Sequence, residues 1–252
     1  MRHLCGIVAL LLAGSAAAAE LHVAVAANFL DPLQKMTPIY QRASGHRLLP
    51  SAGATGQLYA QIQQGAPFDV FLSADRERPQ QLESAGLAVA GTRFTYATGR
   101  LVLWSSKAGA LGSDGAAFLK GGGYRFLAIA NPKTAPYGLA AQQVLQKLQL
   151  WDVLNDQKKL VTGESIAQTR QFAATGNADA AFIAVSQVIK PDGSFEGSSW
   201  LPPAELYEPI DQDAVLLARS TEQVAARDFL RWLRSDAEAL KIIRAAGYIV
   251  KP

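Results

Sequence analysis

The chain reads as an α/β protein of two lobes, each a mixed, mostly parallel sheet flanked by helices, with a ligand cleft between the lobes. Three observations predict this. Short β-prone runs alternate with helix-spaced apolar stripes along nearly the whole chain, the pattern of a parallel sheet with helices on its faces. The alternation falls into an early and a central set, and two further β-prone stretches link them. The length of 252 residues, with 49% hydrophobic and 18% charged side chains, can bury a core in each lobe and excludes a disordered, collagen-like or coiled-coil chain.

Taken in order, Arg2 and His3 precede an apolar run from Leu4 to Ala13, and Ala17-Ala18-Ala19 offers small residues for cleavage before Glu20. Residues 1–19 read as a signal peptide, because the run is too short for a permanent bilayer span. Cys5 lies before the apolar run, the wrong position for a lipid anchor. Cleavage removes this sole cysteine, leaving no thiol nucleophile or thiolate ligand. The net charge of +3 is spread over interspersed acids and bases without a basic, aromatic-rich patch, so no nucleic-acid partner is expected.

In the first set, Leu21 to Ala27 is a strand ending in small residues, and Leu33, Met36, Ile39 and Tyr40 then follow helical spacing. A strand near Arg47 to Ser51, a turn Ala52-Gly53-Ala54-Thr55-Gly56 and a helix from Gln57 to Gln64 repeat the unit, and Asp69 to Ser73 is the next strand. Ala74-Asp75 opens a helix ending near Gly86. In the second set, Phe126 to Ala130, Leu160 to Thr162 and Ala180 to Ala184 are strands. Helices run from Gly138 to Leu148 and from Ser165 through Ala173. The stretches Gly99 to Trp104 and Glu208 to Leu216 cross between the sets, and two helices, Thr221 to Leu233 and Asp236 to Ala246, return to the first. The lobes are therefore read as residues 20–99 with 213–252, and residues 100–212, joined by a two-segment hinge.

Four strand-to-helix turns carry the chemical signal: Ala27-Asn28, Ala54-Thr55-Gly56, Pro136-Tyr137-Gly138 and Glu164-Ser165-Ile166. In an open α/β sheet such turns face the crevice and present free helix N-terminal amides to an anion. Apart from Glu164 they hold no acid or base, which suits a fully ionised oxyanion that only accepts hydrogen bonds. Plain structural roles fit the same residues: Asn28 and Thr55 as helix N-caps, Tyr137 as a surface turn residue and Ile166 as core. No dinucleotide fingerprint or phosphate-loop motif is present.

Val25-Ala26-Ala27-Asn28, Ser51 to Leu58 and Gly65-Ala66-Pro67-Phe68-Asp69-Val70-Phe71-Leu72-Ser73-Ala74-Asp75 resemble the periplasmic molybdate-binding proteins of ABC importers, of the type II periplasmic-binding-protein fold. Asn131-Pro132, Pro136-Tyr137-Gly138, Leu145 to Leu148 with Trp151, and Ala246-Gly247-Tyr248 extend the resemblance over nearly the whole mature chain. It implies a periplasmic protein that encloses molybdate or tungstate and delivers it to a membrane permease; a monomer not embedded in the membrane is the default expectation, with no long exposed apolar patch to argue otherwise. It needs no further cofactor. The oxyanion-binding positions it implies are Ala27, Asn28, Thr55 (where members usually have Ser), Tyr137 and Ile166, the last through its backbone amide, with no direct ligand to the metal atom. Some members add a Tyr from a later strand, where this chain has Ala184, and Tyr137 is read as supplying the phenol instead. Ser51 and Ser165 are neighbouring hydroxyls without an assigned role, while Asp69 and Asp75 are read as structural and as a helix cap. Truncating Asn28 or Thr55 to Ala is expected to weaken binding by about 1–3 kcal/mol and to spare the fold.

Two other readings remain open in the sequence. A binding protein for sulfate, phosphate or an organic anion shares most of these features. An exported hydrolase is the other, but the mature chain has only His22 and His46 and no Gly-x-Ser-x-Gly or His-Glu-x-x-His motif, so it is read as a non-enzyme.

Overall fold

The computed structural model describes residues 18–250, so the proposed signal peptide lies outside the described residues except for Ala18 and Ala19. In the first lobe, β1 (Glu20–Ala26) passes through a single 3-10 turn at Ala27–Phe29 into α1 (Leu30–Ser44). Then follow β2 (Arg47–Gly53), α2 (Thr55–Gln63), β3 (Val70–Leu72), α3 (Glu77–Ser84) and β4 (Phe94–Gly99). The end of β1 is buried on both faces because it lies between two strands and under helices, so its sequence reads as a continuous apolar run. Leu33, Met36 and Tyr40 form the buried stripe of α1, and Gly45 closes that helix at φ 77°, a left-handed conformation that glycine adopts without steric cost.

The second lobe contains β5 (Leu101–Ser105), α4 (Gly115–Gly121), β6 (Leu127–Ala130), α5 (Pro136–Lys147) and α6 (Trp151–Asp156). It continues with β7 (Leu160–Gly163), α7 (Ile166–Ala174), β8 (Ala180–Ala184) and β9 (Ser198–Trp200). The chain returns through β10 (Ile210–Leu216), and α8 (Gln223–Ser235) and α9 (Ala237–Ala245) pack on the first lobe.

The two sheets share one topology, ordered β2-β1-β3-β10-β4 and β7-β6-β8-β5-β9. In each, a single strand opposes the other four: β10 is antiparallel to β3 and β4, and β5 is antiparallel to β8 and β9. The reversed strands are the ones that carry the chain between lobes. Ile210 already pairs with Gly99, so the return is complete slightly before the boundary at 213 read from the sequence. A β-bulge at Gln212/Asp213 makes Tyr96 of β4 the extra residue opposite β10.

Each lobe has its own core. Leu21, Val23, Phe29, Met36 and Phe229 fill one face of the first sheet, Leu58, Phe71, Leu82 and Val215 the other, and Val102, Trp104, Ile129, Val144 and Phe182 build the second lobe. Among the described residues no helix is long and apolar enough to cross a membrane.

Candidate ligand-binding site

The turns that follow β1, β2, β6 and β7 meet across the lobe boundary around a cavity with about 210 Å³ of atom-free space, mouth included. Ala27, Asn28, Thr55, Tyr137 and Ile166 all line it, together with Ala26, Gly53, Ala54, Ala74, Ala135 and Pro136. No lining residue carries a charge. A larger groove, about 1240 Å³ on the same measure, opens outward beside Asp31, Lys35 and Lys190 and shares none of these turns.

Helix N-termini from both lobes supply the donors. The 3-10 turn at Ala27, α2 beginning at Thr55, α5 with Tyr137 in its first turn and α7 beginning at Ile166 each present first-turn amides that have no intrahelical acceptor. Their partial positive charge favours an anion without any paired cation. Thr55 is buried and its Oγ1 accepts from the Ala74 amide at 3.1 Å, which leaves its own proton to donate. Tyr137 is buried as well, and its hydroxyl oxygen accepts from Gln212 Nε2 at 3.1 Å, which leaves its own proton for the neighbouring Tyr248 hydroxyl or for the cavity.

The plain structural roles separate at this point. Neither Asn28 nor Thr55 is a side-chain cap: the N-caps are Ala26 and Ala54, and neither makes a side-chain cap bond. Tyr137 is not a surface residue, whereas Ile166 is both a buried side chain and the first residue of α7. Ser165 caps α7 by accepting from the Gln168 amide at 3.3 Å, and Ser51 is exposed on β2, so neither lines the cavity. Ala184 ends β8, fully buried. Asp69 accepts from the His22 amide at 2.7 Å and from Ser220 Oγ at 2.6 Å, a structural role. Asp75 accepts from the Arg78 amide at the start of α3 and pairs with the Arg78 side chain. Among the described residues no three His, Cys, Asp or Glu side chains gather to hold a metal ion.

Asn28 differs from the sequence expectation. Both Nδ2 protons are committed inside the protein, to Gln212 Oε1 and to the Tyr248 hydroxyl, each at 2.9 Å. Its remaining donor toward the cavity is the backbone amide in the 3-10 turn. Tyr248 in turn donates to Asn28 O at 2.7 Å, and Ser186 Oγ of the second lobe donates to the same carbonyl at 2.8 Å. Tyr96 directs its hydroxyl at Ser73 O and Gln212 Oε1. Truncating Asn28 or Thr55 therefore also orphans buried partners and costs stability. Gln212, Tyr96, Tyr248 and Ser186 were not anticipated as site residues, although Tyr248 lies in the closing Ala-Gly-Tyr motif.

Burial pushes the hydroxyls of Tyr96 and Tyr137 well above the ordinary phenol range, and that of Tyr248 up to about 12. They stay protonated, as donors must. An unfolded chain releases these protons near pH 10 while the folded one retains them, so the unfolded state binds fewer protons above that pH. Thermal midpoints are expected to be insensitive to these groups below pH 9 and to fall steeply from pH 10 upward. A flat profile through pH 11 would contradict their burial.

Further bonds close the lobes. The Gly56 amide donates to Thr134 O at 2.8 Å, Arg78 Nη2 donates to Lys133 O at 3.0 Å, and Gln57 Nε2 donates to Glu164 Oε2 at 3.3 Å. Two sheets of one topology, a two-strand hinge and an uncharged cavity rimmed by helix N-termini define a two-lobed solute-binding protein. The chain belongs to the bacterial extracellular solute-binding protein family, which it matches over residues 21–249. It is 50% identical over 238 residues to the molybdate-binding protein ModA of Azotobacter vinelandii, covering 94% of this chain and 93% of that one. Identity to the molybdate-binding protein ModA of Rhodobacter capsulatus is 48% over 240 residues, covering 95% and 92%. The solved structure of the Azotobacter vinelandii periplasmic molybdate-binding protein superposes with a TM-score of 0.89 at 43% identity, covering 92% of this chain and all of that one.

Proposed function

We propose that this protein binds molybdate or tungstate in the periplasm, closes its lobes around the anion and presents it, as a monomer, to the membrane permease of an ABC importer. The observation that carries this reading is the cavity itself, where amides and hydroxyls from both lobes converge and no carboxylate, imidazole or cation is present. Each charge-assisted bond from such a donor contributes about 1.5–3 kcal/mol, so several hold a dianion without a counter-charge. A donor-only shell disfavours an anion that retains a proton, because that proton would lack an acceptor. Molybdate and tungstate have longer bonds to oxygen than sulfate, so a fixed set of donors would leave sulfate with stretched contacts. The anion gains its full set of bonds only when the lobes meet, so binding shifts the population to the closed form that the permease reads. With no nucleophile or base at the cavity, the reading is of a carrier and not of an enzyme, and it needs no cofactor.

The test is thermal unfolding of the chain from Glu20 onward, stripped of anions, with molybdate, tungstate, sulfate and phosphate added separately. A ligand at one hundred times its dissociation constant adds about 2.7 kcal/mol, enough to raise the midpoint by a few degrees. Stabilisation by molybdate and tungstate alone is expected, and stabilisation by sulfate or phosphate would change the substrate. At Thr55 the hydroxyl is what matters. Thr55→Ser is expected to bind molybdate within about twofold of wild type, and Thr55→Ala to lose about 1–3 kcal/mol of binding in calorimetry.

A further inference from the structure

We infer that Gln212 is a positioning residue that sets the direction of the Tyr137 hydroxyl, making Tyr137 a donor toward the anion; this rests on the oxyanion-binding reading above. Gln212 is fully buried on the hinge strand β10, at the bulge that brings Tyr96 against it. The direction of the chain of bonds is fixed by a group that can only accept. Asn28 O at 2.7 Å, with Ser186 Oγ at 3.1 Å as the second acceptor, takes the Tyr248 proton, and the Tyr248 oxygen then accepts from Asn28 Nδ2. The second Nδ2 proton then requires an oxygen from Gln212, which Oε1 provides at 2.9 Å. The Tyr96 hydroxyl lies 2.9 Å from Ser73 O and 3.0 Å from Oε1 and has one proton for the two, so the orientation of Gln212 rests on Asn28. With Oε1 so engaged, the amide nitrogen of Gln212 faces Tyr137 across the lobe boundary at 3.1 Å. Tyr137 accepts there and keeps its own proton to give away, either to the neighbouring Tyr248 hydroxyl or to an anion in the cavity it lines. A reversed Gln212 would ask Tyr137 to donate to it and would remove one donor from the cavity.

The test is a double-mutant cycle on the full mature chain, read as molybdate affinity by calorimetry, with Gln212→Met, Tyr137→Phe and the pair. If Gln212 acts through Tyr137, each single variant loses about tenfold in affinity. Adding Tyr137→Phe to Gln212→Met then costs less than about twofold. A merely structural Gln212 gives factors that multiply. The same cycle built on Gln212→Glu, which keeps the acceptor for Asn28 and Tyr96 but cannot donate from a carboxylate, covers the case in which Gln212→Met does not fold. Wild-type affinity in Gln212→Met, or the same cost of Tyr137→Phe in every background, overturns the inference and leaves the function standing. A wild-type chain that binds neither molybdate nor tungstate overturns both.

Discussion

Gly99→Ala is expected to reduce molybdate affinity by about 2–4 kcal/mol, more than loss of the Tyr137 hydroxyl alone. Gly99 ends β4 at the hinge, and a Cβ built there falls inside the Tyr137 hydroxyl and within 2.6 Å of Gln212 Nε2. The backbone at Gly99 is not left-handed, so the cost comes from the occupied space and not from local strain. Tyr137 sits at the start of α5, and Gly138 behind it is pressed against the backbone of Ala130 and Asn131, which leaves the ring little freedom to retreat as a unit with its helix. The phenol and the amide of Gln212 must separate. Isothermal calorimetry with molybdate on the variant and the wild type checks this. Affinity within twofold would mean that the hydroxyl does not occupy this slot when the anion is held.

Gly56→Ala is expected to leave the anion-free thermal midpoint within about a degree of wild type and to weaken molybdate binding by about tenfold. The new methyl would lie 3.0–3.2 Å from Thr134 Cα, O and Cβ, on the opposite lobe. Within one lobe such crowding must be absorbed by packing, but across the cleft it is relieved by opening, so the cost falls on the closed form alone. The same opening lengthens the bond from the Gly56 amide to Thr134 O. Small-angle scattering supplies the second readout: at equal molybdate occupancy the variant should retain a larger radius of gyration. A drop in midpoint with unchanged affinity would place the strain in the fold and refute this account.

The units of strand, turn and helix were legible because each is written locally. Val23-Ala24-Val25 and Phe71-Leu72 are apolar runs, the stripe of α1 repeats at helical spacing, and the small-residue turns mark where strands end. Several short elements were not legible. α4, α6 and β9 are seven residues or fewer, and Ser198-Ser199-Trp200 becomes a strand only by pairing with β5. Ala27, Asn28, Thr55, Tyr137 and Ile166 lie where the small-residue turns and the family motif coincide, and all five line one cavity. Gln212 could not be placed. Its partners Asn28, Tyr96 and Tyr137 are 75 to 184 residues away in sequence, and a lone Gln between Asp211 and Asp213 looks like any solvated position until the sheet buries it. For the same reason the sequence suggested that the Asn28 side chain faces the ligand, when its amide protons are already committed.

The bonds between the lobes also imply a division of time. Asn28, Gln212, Tyr96 and Tyr248 belong to the first lobe and its hinge strand, so their mutual bonds persist when the cleft is open. Thr55 and the amides of the 3-10 turn are held there too. On the proposed reading this half-site would meet an arriving anion already assembled, so capture would proceed at the pace of encounter. Release would first break the bonds that α2 and α3 make to Thr134, Lys133 and Glu164, together with those from Ser186 to Asn28 O and from Gln212 to Tyr137. The residence time of the anion would thus depend in part on contacts remote from it, and changes at Gly56 or Arg78 should appear in the off-rate while the on-rate stays constant.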